Sequence, residues 1–173
     1  MPAYLISGLS GSGKSTIGRE LSTRGYSVVH TDEDKTLSAF YNRKTGRKVS
    51  TYDVIHGKSD WFAEHDWNWD SERLKAIMGE HEGPVFFCGG ANNDYLFYPL
   101  FAKCFVLLVD DETLTRRLRA RDPEKFNGES VGLARILAFN KGGLAYCRKW
   151  GMIPIDATGS PQKVADDILA FLR

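Results

Sequence analysis

The chain has few cysteines and no long apolar run. Its three cysteines, Cys88, Cys104 and Cys147, fit no metal-binding or redox spacing, which favours free thiols in a reducing cytoplasm over a disulfide framework. The longest apolar run, from Cys104 to Val109, is far too short to cross a bilayer, and the first residues lack the pattern of a secretory signal. We therefore predict a cytoplasmic protein that does not associate with membranes.

A strong charge of either sign is also lacking, since the formal net charge is +1. Such a balance gives no indication of a nucleic-acid surface or of an acidic partner. The apolar fraction of 42% is ordinary for a globular protein, and 173 residues fit one domain with a substantial core. We predict a single domain over residues 1–173 that acts on a small molecule, as a monomer or a homodimer.

The strongest signal in the chain is residues 8–16, Gly-Leu-Ser-Gly-Ser-Gly-Lys-Ser-Thr. This stretch matches the phosphate-binding loop (P-loop) pattern of glycine, four residues, glycine, lysine and serine or threonine. A short apolar run precedes it and an amphipathic segment follows it, so the motif stands between a predicted strand and a predicted helix. Glycines let backbone N–H groups point at phosphate oxygens, and the helix N-terminus adds the positive end of its dipole.

The motif therefore predicts that the chain binds ATP together with Mg²⁺. Lys14 is predicted to lie along the β- and γ-phosphates, and the Ser15 hydroxyl to ligate Mg²⁺. The other predicted cofactor contacts come from the remainder of the loop, namely Gly8, Ser10, Gly11, Ser12, Gly13 and Thr16.

Short apolar runs alternate with helical patterns, which predicts an α/β fold with a parallel sheet and crossover helices. The predicted strands are 3–7, 27–30, 85–88, 104–109 and 152–155, and the predicted helices are 14–24, 71–82, 112–121, 133–149 and 161–172. Gly25 is expected to end the first helix.

Two segments interrupt this alternation. Residues 35–70 are both polar and aromatic, and we predict two or three short helices that project over the sheet as a substrate-binding insertion. Most of its aromatic side chains are expected to form a small core of their own, and the alternative is a flat platform for a nucleobase or a sugar. Residues 122–132 have the composition of a mobile cover loop, or lid.

Asp32 and Asp34 follow the second predicted strand, at the edge where open parallel sheets hold ligands. Side chains two apart in an extended segment point to the same side, so both carboxylates are expected to face one cleft. We predict that Asp32 helps to hold Mg²⁺ and that Asp34 positions or deprotonates an acceptor hydroxyl. The alternative is a solvated turn that begins a helix.

Further candidates follow the third and fourth strands. Gly89, Gly90 and Asn92 leave room for a substrate and offer it an amide group, or else they form a tight turn that serves the backbone alone. Arg117 and Arg121 lie one helical turn apart and share a face. We predict that Arg121 neutralises charge on the transferred phosphoryl group, and the alternative is a basic surface helix.

Taken in order, these motifs resemble the nucleoside monophosphate kinase-like group of P-loop kinases, which includes adenylate, shikimate and gluconate kinases. The resemblance implies a three-layer P-loop NTPase fold with a five-stranded parallel sheet of order 2-3-1-4-5, a substrate insertion and a lid. It also implies that Arg117 stacks on adenine, that the turn from Ala157 to Pro161 borders the base, and that Arg135 contacts a phosphate.

The chain departs from shikimate kinases at Ala91, where they have a third glycine, and the aromatic insertion matches none of these enzymes. The resemblance thus predicts the donor better than the acceptor. We expect an ATP-dependent kinase whose acceptor is a hydroxyl compound such as a nucleoside or a shikimate- or sugar-acid-like metabolite. The alternatives are a nucleoside monophosphate kinase and a P-loop switch or hydrolase that works with a protein partner.

Overall fold

The computed structural model describes residues 2–49, 61–121 and 131–172. Within these ranges the strands are β1 Ala3–Gly8, β2 Ser27–His30, β3 Ser38–Asn42, β4 His65–Trp69, β5 Val85–Cys88, β6 Lys103–Leu108 and β7 Ile153–Asp156. The α-helices are α1 Lys14–Thr23, α2 Trp61–Glu64, α3 Ser71–Glu80, α4 Asp111–Arg121, α5 Val131–Lys141, α6 Gly143–Trp150 and α7 Pro161–Ala170. Two 3₁₀ helices, Asp94–Leu96 and Tyr98–Leu100, lie between β5 and β6.

The central sheet is parallel and has the order β2-β5-β1-β6-β7. Numbered among themselves, these strands run 2-3-1-4-5, which confirms the predicted topology. All four residues of β5 are buried, as expected of a strand covered on both faces. Consecutive residues of β1 point to opposite faces, so that Leu5 joins one hydrophobic cluster and Ile6 joins the other.

The first helix begins and ends at glycines. Gly13 precedes α1 with φ +108°, and Gly25 follows it with φ +86°, the left-handed conformation that glycine adopts most easily. The Gly25 N–H donates to the Ser22 carbonyl oxygen at 3.0 Å, as predicted for a glycine that ends a helix. Among the described helices, none is long and apolar enough to cross a membrane.

The prediction of two or three short helices over residues 35–70 is wrong for the described part of that segment. There β3 and β4 pair as a two-stranded antiparallel sheet, with the single turn of α2 preceding β4. The physical reason is the cross-strand pairing of aromatic side chains, since the Phe40 and Trp67 rings lie opposite each other with centroids 4.8 Å apart. Residues 50–60 of the predicted insertion lie outside the described residues.

The single long helix predicted over 133–149 is also corrected, because the chain forms α5 and α6 with a break at Gly142. Two consecutive glycines lower the helix propensity at this point. The Gly142 N–H donates to the Phe139 carbonyl oxygen at 3.0 Å. A Cβ on Gly143 would lie 2.8 Å from Leu108 Cδ2, so this glycine lets α6 approach the sheet closely. Most of the predicted lid, residues 122–130, lies outside the described residues.

We predict that Trp69→Ala lowers the free energy of unfolding by about 3–5 kcal/mol, because truncation leaves a large cavity in the core. The Trp69 residue is 2% exposed and packs near Phe97, with ring centroids 6.2 Å apart. Urea denaturation measures the loss. The control is Leu96→Ala, at a residue that is 59% exposed, where a change within about 0.5 kcal/mol is expected. Equal losses for the two variants would contradict the assignment of Trp69 to the core.

Candidate active site

The P-loop leaves β1 along a path that excludes side chains. A Cβ on Gly8 would lie 2.6 Å from Ser12 Oγ and 2.9 Å from the Leu107 carbonyl oxygen. The Ser12 N–H donates to the Leu9 carbonyl oxygen at 3.1 Å, which closes the turn before α1 begins. The predicted succession of strand, glycine-rich turn and helix is therefore confirmed.

Lys14, the lysine of the motif, folds back over its own loop. Its Nζ donates to the carbonyl oxygens of Gly8 at 2.8 Å and Leu9 at 3.2 Å. Burial lowers the pKa of Lys14, the nearby Asp32 carboxylate raises it, and the Arg121 guanidinium lowers it further. A partly desolvated ammonium next to another cation is stabilised by an added anion, which is what a phosphate-binding site requires.

Helix α4 brings its two predicted arginines to the P-loop. Arg117 donates through Nη1 to the Ser12 carbonyl oxygen at 3.1 Å and through Nη2 to the Ala157 carbonyl oxygen at 2.9 Å. Arg121 donates through Nη2 to Ser10 Oγ at 3.0 Å. One helix face thus holds two guanidinium groups against the loop, and Arg117 also ties the loop to the turn after β7.

Most of the predicted cofactor residues line one cavity of about 670 Å³, the smaller of the two cavities that Lys14 borders. We call the 670 Å³ cavity the P-loop cavity. Its lining includes Ser10, Gly11, Ser12, Gly13, Lys14, Ser15, Thr16, Asp32, Arg117, Arg121, Ala157 and Pro161. The structure thus gathers the P-loop, the arginines of α4 and the turn after β7, which are far apart in the sequence.

A second cavity, of about 720 Å³, lies at the carboxyl edge of the sheet, and we call it the sheet-edge cavity. Ser10, Lys14 and Asp32 line both cavities, so the two meet at the lysine of the P-loop. The sheet-edge cavity is also lined by Gly8, Phe40, Trp67, Gly90, Asn92, Asp94, Phe139 and Tyr146.

The two predicted carboxylates do not share a cavity. Asp34 lines neither one, and its Oδ1 accepts hydrogen bonds from the Thr36 N–H at 2.8 Å, the Thr36 hydroxyl at 2.5 Å and the Leu37 N–H at 3.1 Å. The Thr36 hydroxyl lowers the pKa of Asp34. The prediction that both carboxylates face one cleft assumed an extended chain. The chain instead forms a turn here, because the N–H groups of Glu33 and Asp34 both donate to the His30 carbonyl oxygen. The catalytic role of Asp34 stays a prediction.

The turn after β5 serves both the backbone and the cavity. A Cβ on Gly89 would lie 1.7 Å from Thr31 Oγ1, so this glycine permits close packing, whereas Gly90 lines the sheet-edge cavity. Asn92 also lines it, and its Oδ1 accepts from the Trp67 N–H at 2.8 Å. The Asn92 N–H donates to the Trp67 carbonyl oxygen at 2.6 Å, so this asparagine attaches β4 to the main sheet.

Arg135 lies on the exposed surface of α5 and lines neither cavity. Its guanidinium carbon stands 5.8 Å from the centroid of the Phe139 ring. The phosphate contact implied for Arg135 stays a prediction.

Several residues of the sheet-edge cavity were not among the predicted site residues. Phe40 and Trp67 line it, whereas Trp69 joins the main hydrophobic core beside the central sheet, so these aromatic side chains do not form the separate small core that was predicted. Asp94 is 6% exposed, and burial raises its pKa. Its position shortly after Asn92 at the ligand edge of the sheet is the one sequence signal that pointed toward it.

The oxygen donors of the P-loop cavity fit Mg²⁺. Ser15 presents an exposed hydroxyl there and Asp32 a carboxylate, both hard ligands of the kind that Mg²⁺ prefers. Among the described residues, no group of three or more histidine, cysteine, aspartate or glutamate side chains is placed to hold a metal ion. This sparse set suits Mg²⁺, which keeps several waters and is usually shared with substrate phosphates.

A comparison with known proteins found a family model that matches most of the chain. A family model described as an AAA domain matches residues 5–132. A shikimate kinase from Mycobacterium leprae (strain TN) is 34% identical over 91 residues, which cover 52% of this chain and 40% of that protein. The matched part thus spans less than half the length of this curated relative.

Two solved structures cover nearly the whole chain. The shikimate kinase from Acinetobacter baumannii in complex with shikimate has a TM-score of 0.62 at 18% identity, covering 99% of this chain and 93% of the other. The deoxyadenosine kinase from M. mycoides with bound dATP has a TM-score of 0.59 at 15% identity, covering 98% of each chain. At this identity the likeness concerns the fold, and it confirms the predicted P-loop kinase fold.

We predict that Arg117→Ala weakens ATP binding at least about tenfold, because hydrogen bonds from a charged donor to the Ser12 and Ala157 carbonyl oxygens are lost. Isothermal titration calorimetry with a non-hydrolysable ATP analogue measures the change. Arg116→Ala, at an exposed neighbour outside the P-loop cavity, is the matched control and should leave the affinity within about twofold. The same loss in both variants would show that net charge, and not the contacts of Arg117, sets the affinity.

Proposed function

The chain belongs to the AAA domain family, and on that premise we propose that it is an ATP-dependent kinase that transfers the γ-phosphoryl group to the hydroxyl of a small molecule. The observation that carries this proposal is the meeting of two cavities at Lys14 and Asp32. One holds the P-loop with its arginines, and the other has the size of a small-molecule site. A kinase needs this arrangement, because donor and acceptor must meet in line at one phosphorus atom.

On the donor side, the charge of the transferred group is the main obstacle, and fixed cations and N–H groups are the means of stabilising it. Lys14 and Arg121 both contact the P-loop and line its cavity. Ser15 would hold Mg²⁺, with Asp32 binding it through its water shell. The ion, when bound, would neutralise the phosphate oxygens, and Arg117 would hold the P-loop against the turn at Ala157.

On the acceptor side, Asp32 is the better placed of the two carboxylates. It borders both cavities, whereas Asp34 lines neither and its Oδ1 accepts hydrogen bonds from Thr36 and Leu37. In the proposal, Asp32 orients the acceptor hydroxyl toward the γ-phosphoryl group and accepts its proton. Two of the similar proteins are named as kinases of small molecules, shikimate and deoxyadenosine, which supports an acceptor of this size.

A nucleoside monophosphate is a less suitable acceptor. Its phosphate requires cationic side chains, and among the described residues that line the sheet-edge cavity the one cation is Lys14. A switch or hydrolase that works with a protein partner is less suitable too, because it has no use for a second cavity of about 720 Å³ beside the P-loop lysine. The hydroxyl acceptor is therefore the function that we propose.

Lys14→Ala should lower the turnover at least about a hundredfold, because the lysine stabilises charge that develops on the γ-phosphoryl group. The assay follows transfer of label from γ-labelled ATP to pooled hydroxyl compounds in the presence of Mg²⁺. Lys75→Ala, on the exposed surface of α3, is the control and should keep normal turnover. Near-normal turnover of the Lys14 variant, or label released only as inorganic phosphate from every pool, would overturn the proposed function.

Asp32→Ala and Asp34→Ala should change different quantities, the first the turnover and the second the stability. The first is expected to lower kcat by about 10²–10⁴-fold, with little change in stability, since its carboxylate borders the cavities. The second should keep kcat within a few-fold and lower the stability, since the carboxylate closes a turn through Thr36 and Leu37. Steady-state kinetics and urea denaturation separate the two outcomes, and a larger kcat loss at Asp34 would return the acceptor role to that residue.

The stability effect at Asp34 should depend on pH. Its pKa is lower in the folded protein than in the unfolded chain, so the ionised carboxylate stabilises the fold above the unfolded pKa. That contribution is lost as the pH falls through the lowered folded pKa. The difference in unfolding free energy between the wild type and Asp34→Ala should therefore shrink below about pH 4. A difference that stays constant between neutral and acidic pH would contradict this assignment.

A further inference from the structure

The walls of the sheet-edge cavity are aromatic on two sides. Phe40 and Trp67 come from the small antiparallel sheet, and Phe139 and Tyr146 come from the helices on either side of the break at Gly142. Phe139 is 59% exposed and Tyr146 is 38% exposed. Large apolar surface beside a cavity marks a binding site for an apolar or ring-bearing ligand.

The same cavity has little positive charge to offer a ligand. Among its described lining residues, Lys14 is the one cation, and its Nζ is directed to the carbonyl oxygens of the P-loop. Lys35 stands 5.8 Å from the Trp67 ring centroid but does not line the cavity. Among the described residues that line the cavity, a carboxylate ligand would find no guanidinium group, the partner that binds carboxylates most strongly.

Carboxyl groups line the cavity instead, at Asp32 and Asp94. Asp94 Oδ1 accepts a hydrogen bond from the Tyr98 hydroxyl at 2.8 Å, and the Tyr98 and Tyr146 hydroxyl oxygens are 2.5 Å apart. This chain of polar groups fixes the Asp94 side chain. An anionic ligand would lie beside these carboxyl groups, which raises the free energy of its complex.

Gly90 leaves space beside the second oxygen of Asp94, Oδ2. A Cβ on Gly90 would lie 3.5 Å from Asp94 Oδ2 and 3.4 Å from Ser7 Oγ, and all three residues line the cavity. Oδ2 accepts a long hydrogen bond from the Ala91 N–H at 3.4 Å, and the Tyr95 N–H also donates to the Asp94 carboxyl group. A nearly buried carboxyl oxygen in an aromatic cavity is stabilised by a ligand that donates a hydrogen bond to it.

We propose that the phosphoryl acceptor is an uncharged or cationic ring compound that packs against Phe40 and Trp67 and donates a hydrogen bond to Asp94. This inference rests on the proposed function, since it takes the sheet-edge cavity as the acceptor site. It separates this chain from kinases of carboxylate acceptors such as shikimate, although their fold is the same. Asp94 and Trp67 are then the residues that select the acceptor.

The test uses three pools of hydroxyl compounds with equal numbers of members. The first pool contains uncharged ring compounds such as nucleosides and phenolic alcohols, the second contains ring compounds with an amine, and the third contains hydroxy acids such as shikimate and gluconate. Affinity selection with ADP present measures binding, and γ-labelled ATP measures transfer. Retention and phosphorylation confined to the first two pools are expected.

Two variants then locate the selected compound. Trp67→Ala and Asp94→Asn should each raise its Kd at least about tenfold and leave the Kd of ADP unchanged. An analogue whose donor group is methylated should bind the wild type and Asp94→Asn equally. Tyr98→Phe removes one partner of Asp94 and keeps its carboxyl group. This variant should therefore bind the selected compound with a Kd within about threefold of the wild-type value. Leu96→Ala, outside the cavity, is the surface control.

The outcomes separate the two proposals. Phosphorylation of the hydroxy acids alone, retention of no ring compound, or unchanged Kd values in both variants would overturn the assignment of the acceptor class. The proposed kinase function stands in the first of these cases. If ADP binds and every pool yields inorganic phosphate alone, then the kinase function itself fails.

Discussion

The arrangement of the site depends on how closely the P-loop packs against the sheet. A Cβ atom at position 8 would lie too close to Ser12 Oγ and to the Leu107 carbonyl oxygen, so only glycine permits this path. The path starts α1 at the carboxyl edge of the sheet and places Lys14 there. Because Arg117 bonds the Ser12 carbonyl oxygen, α4 is held to the same loop. Two cavities on either side of one lysine follow from this packing.

The wall of the sheet-edge cavity depends on a second attachment. An isolated pair of antiparallel strands is marginally stable in water. Asn92 and Asn93 compensate, because their side-chain oxygens accept hydrogen bonds from the Trp67 and Trp69 N–H groups at the open edge of β4. Asn93 Nδ2 also donates to the Trp69 carbonyl oxygen at 3.0 Å. The turn after β5 thereby fixes the aromatic wall relative to the P-loop.

The main sheet and the P-loop could be predicted because their signals are local. The four apolar residues of β5 are all buried, and the loop motif is contiguous in the sequence. The small antiparallel sheet could not be predicted in the same way, because β3 finds its partner more than twenty residues later, and each strand alone mixes polar and aromatic residues. The prediction of one long helix failed at Gly142 and Gly143, where the low helix propensity of glycine acts together with the close packing of Gly143 against Leu108.

The same division runs through the site. Lys14 and Ser15, which we propose to face the nucleotide, belong to a motif with fixed spacing, so they could be named from the sequence. The residues of the proposed acceptor site are held by contacts across long separations, such as the one between the hydroxyls of Tyr146, which lines the sheet-edge cavity, and Tyr98. The chain turns at Asp34 and directs its carboxylate to Thr36, which the assumption of an extended chain could not predict. The P-loop part of the proposed donor site is thus predictable from a local motif, whereas the proposed acceptor site exists only in the folded chain.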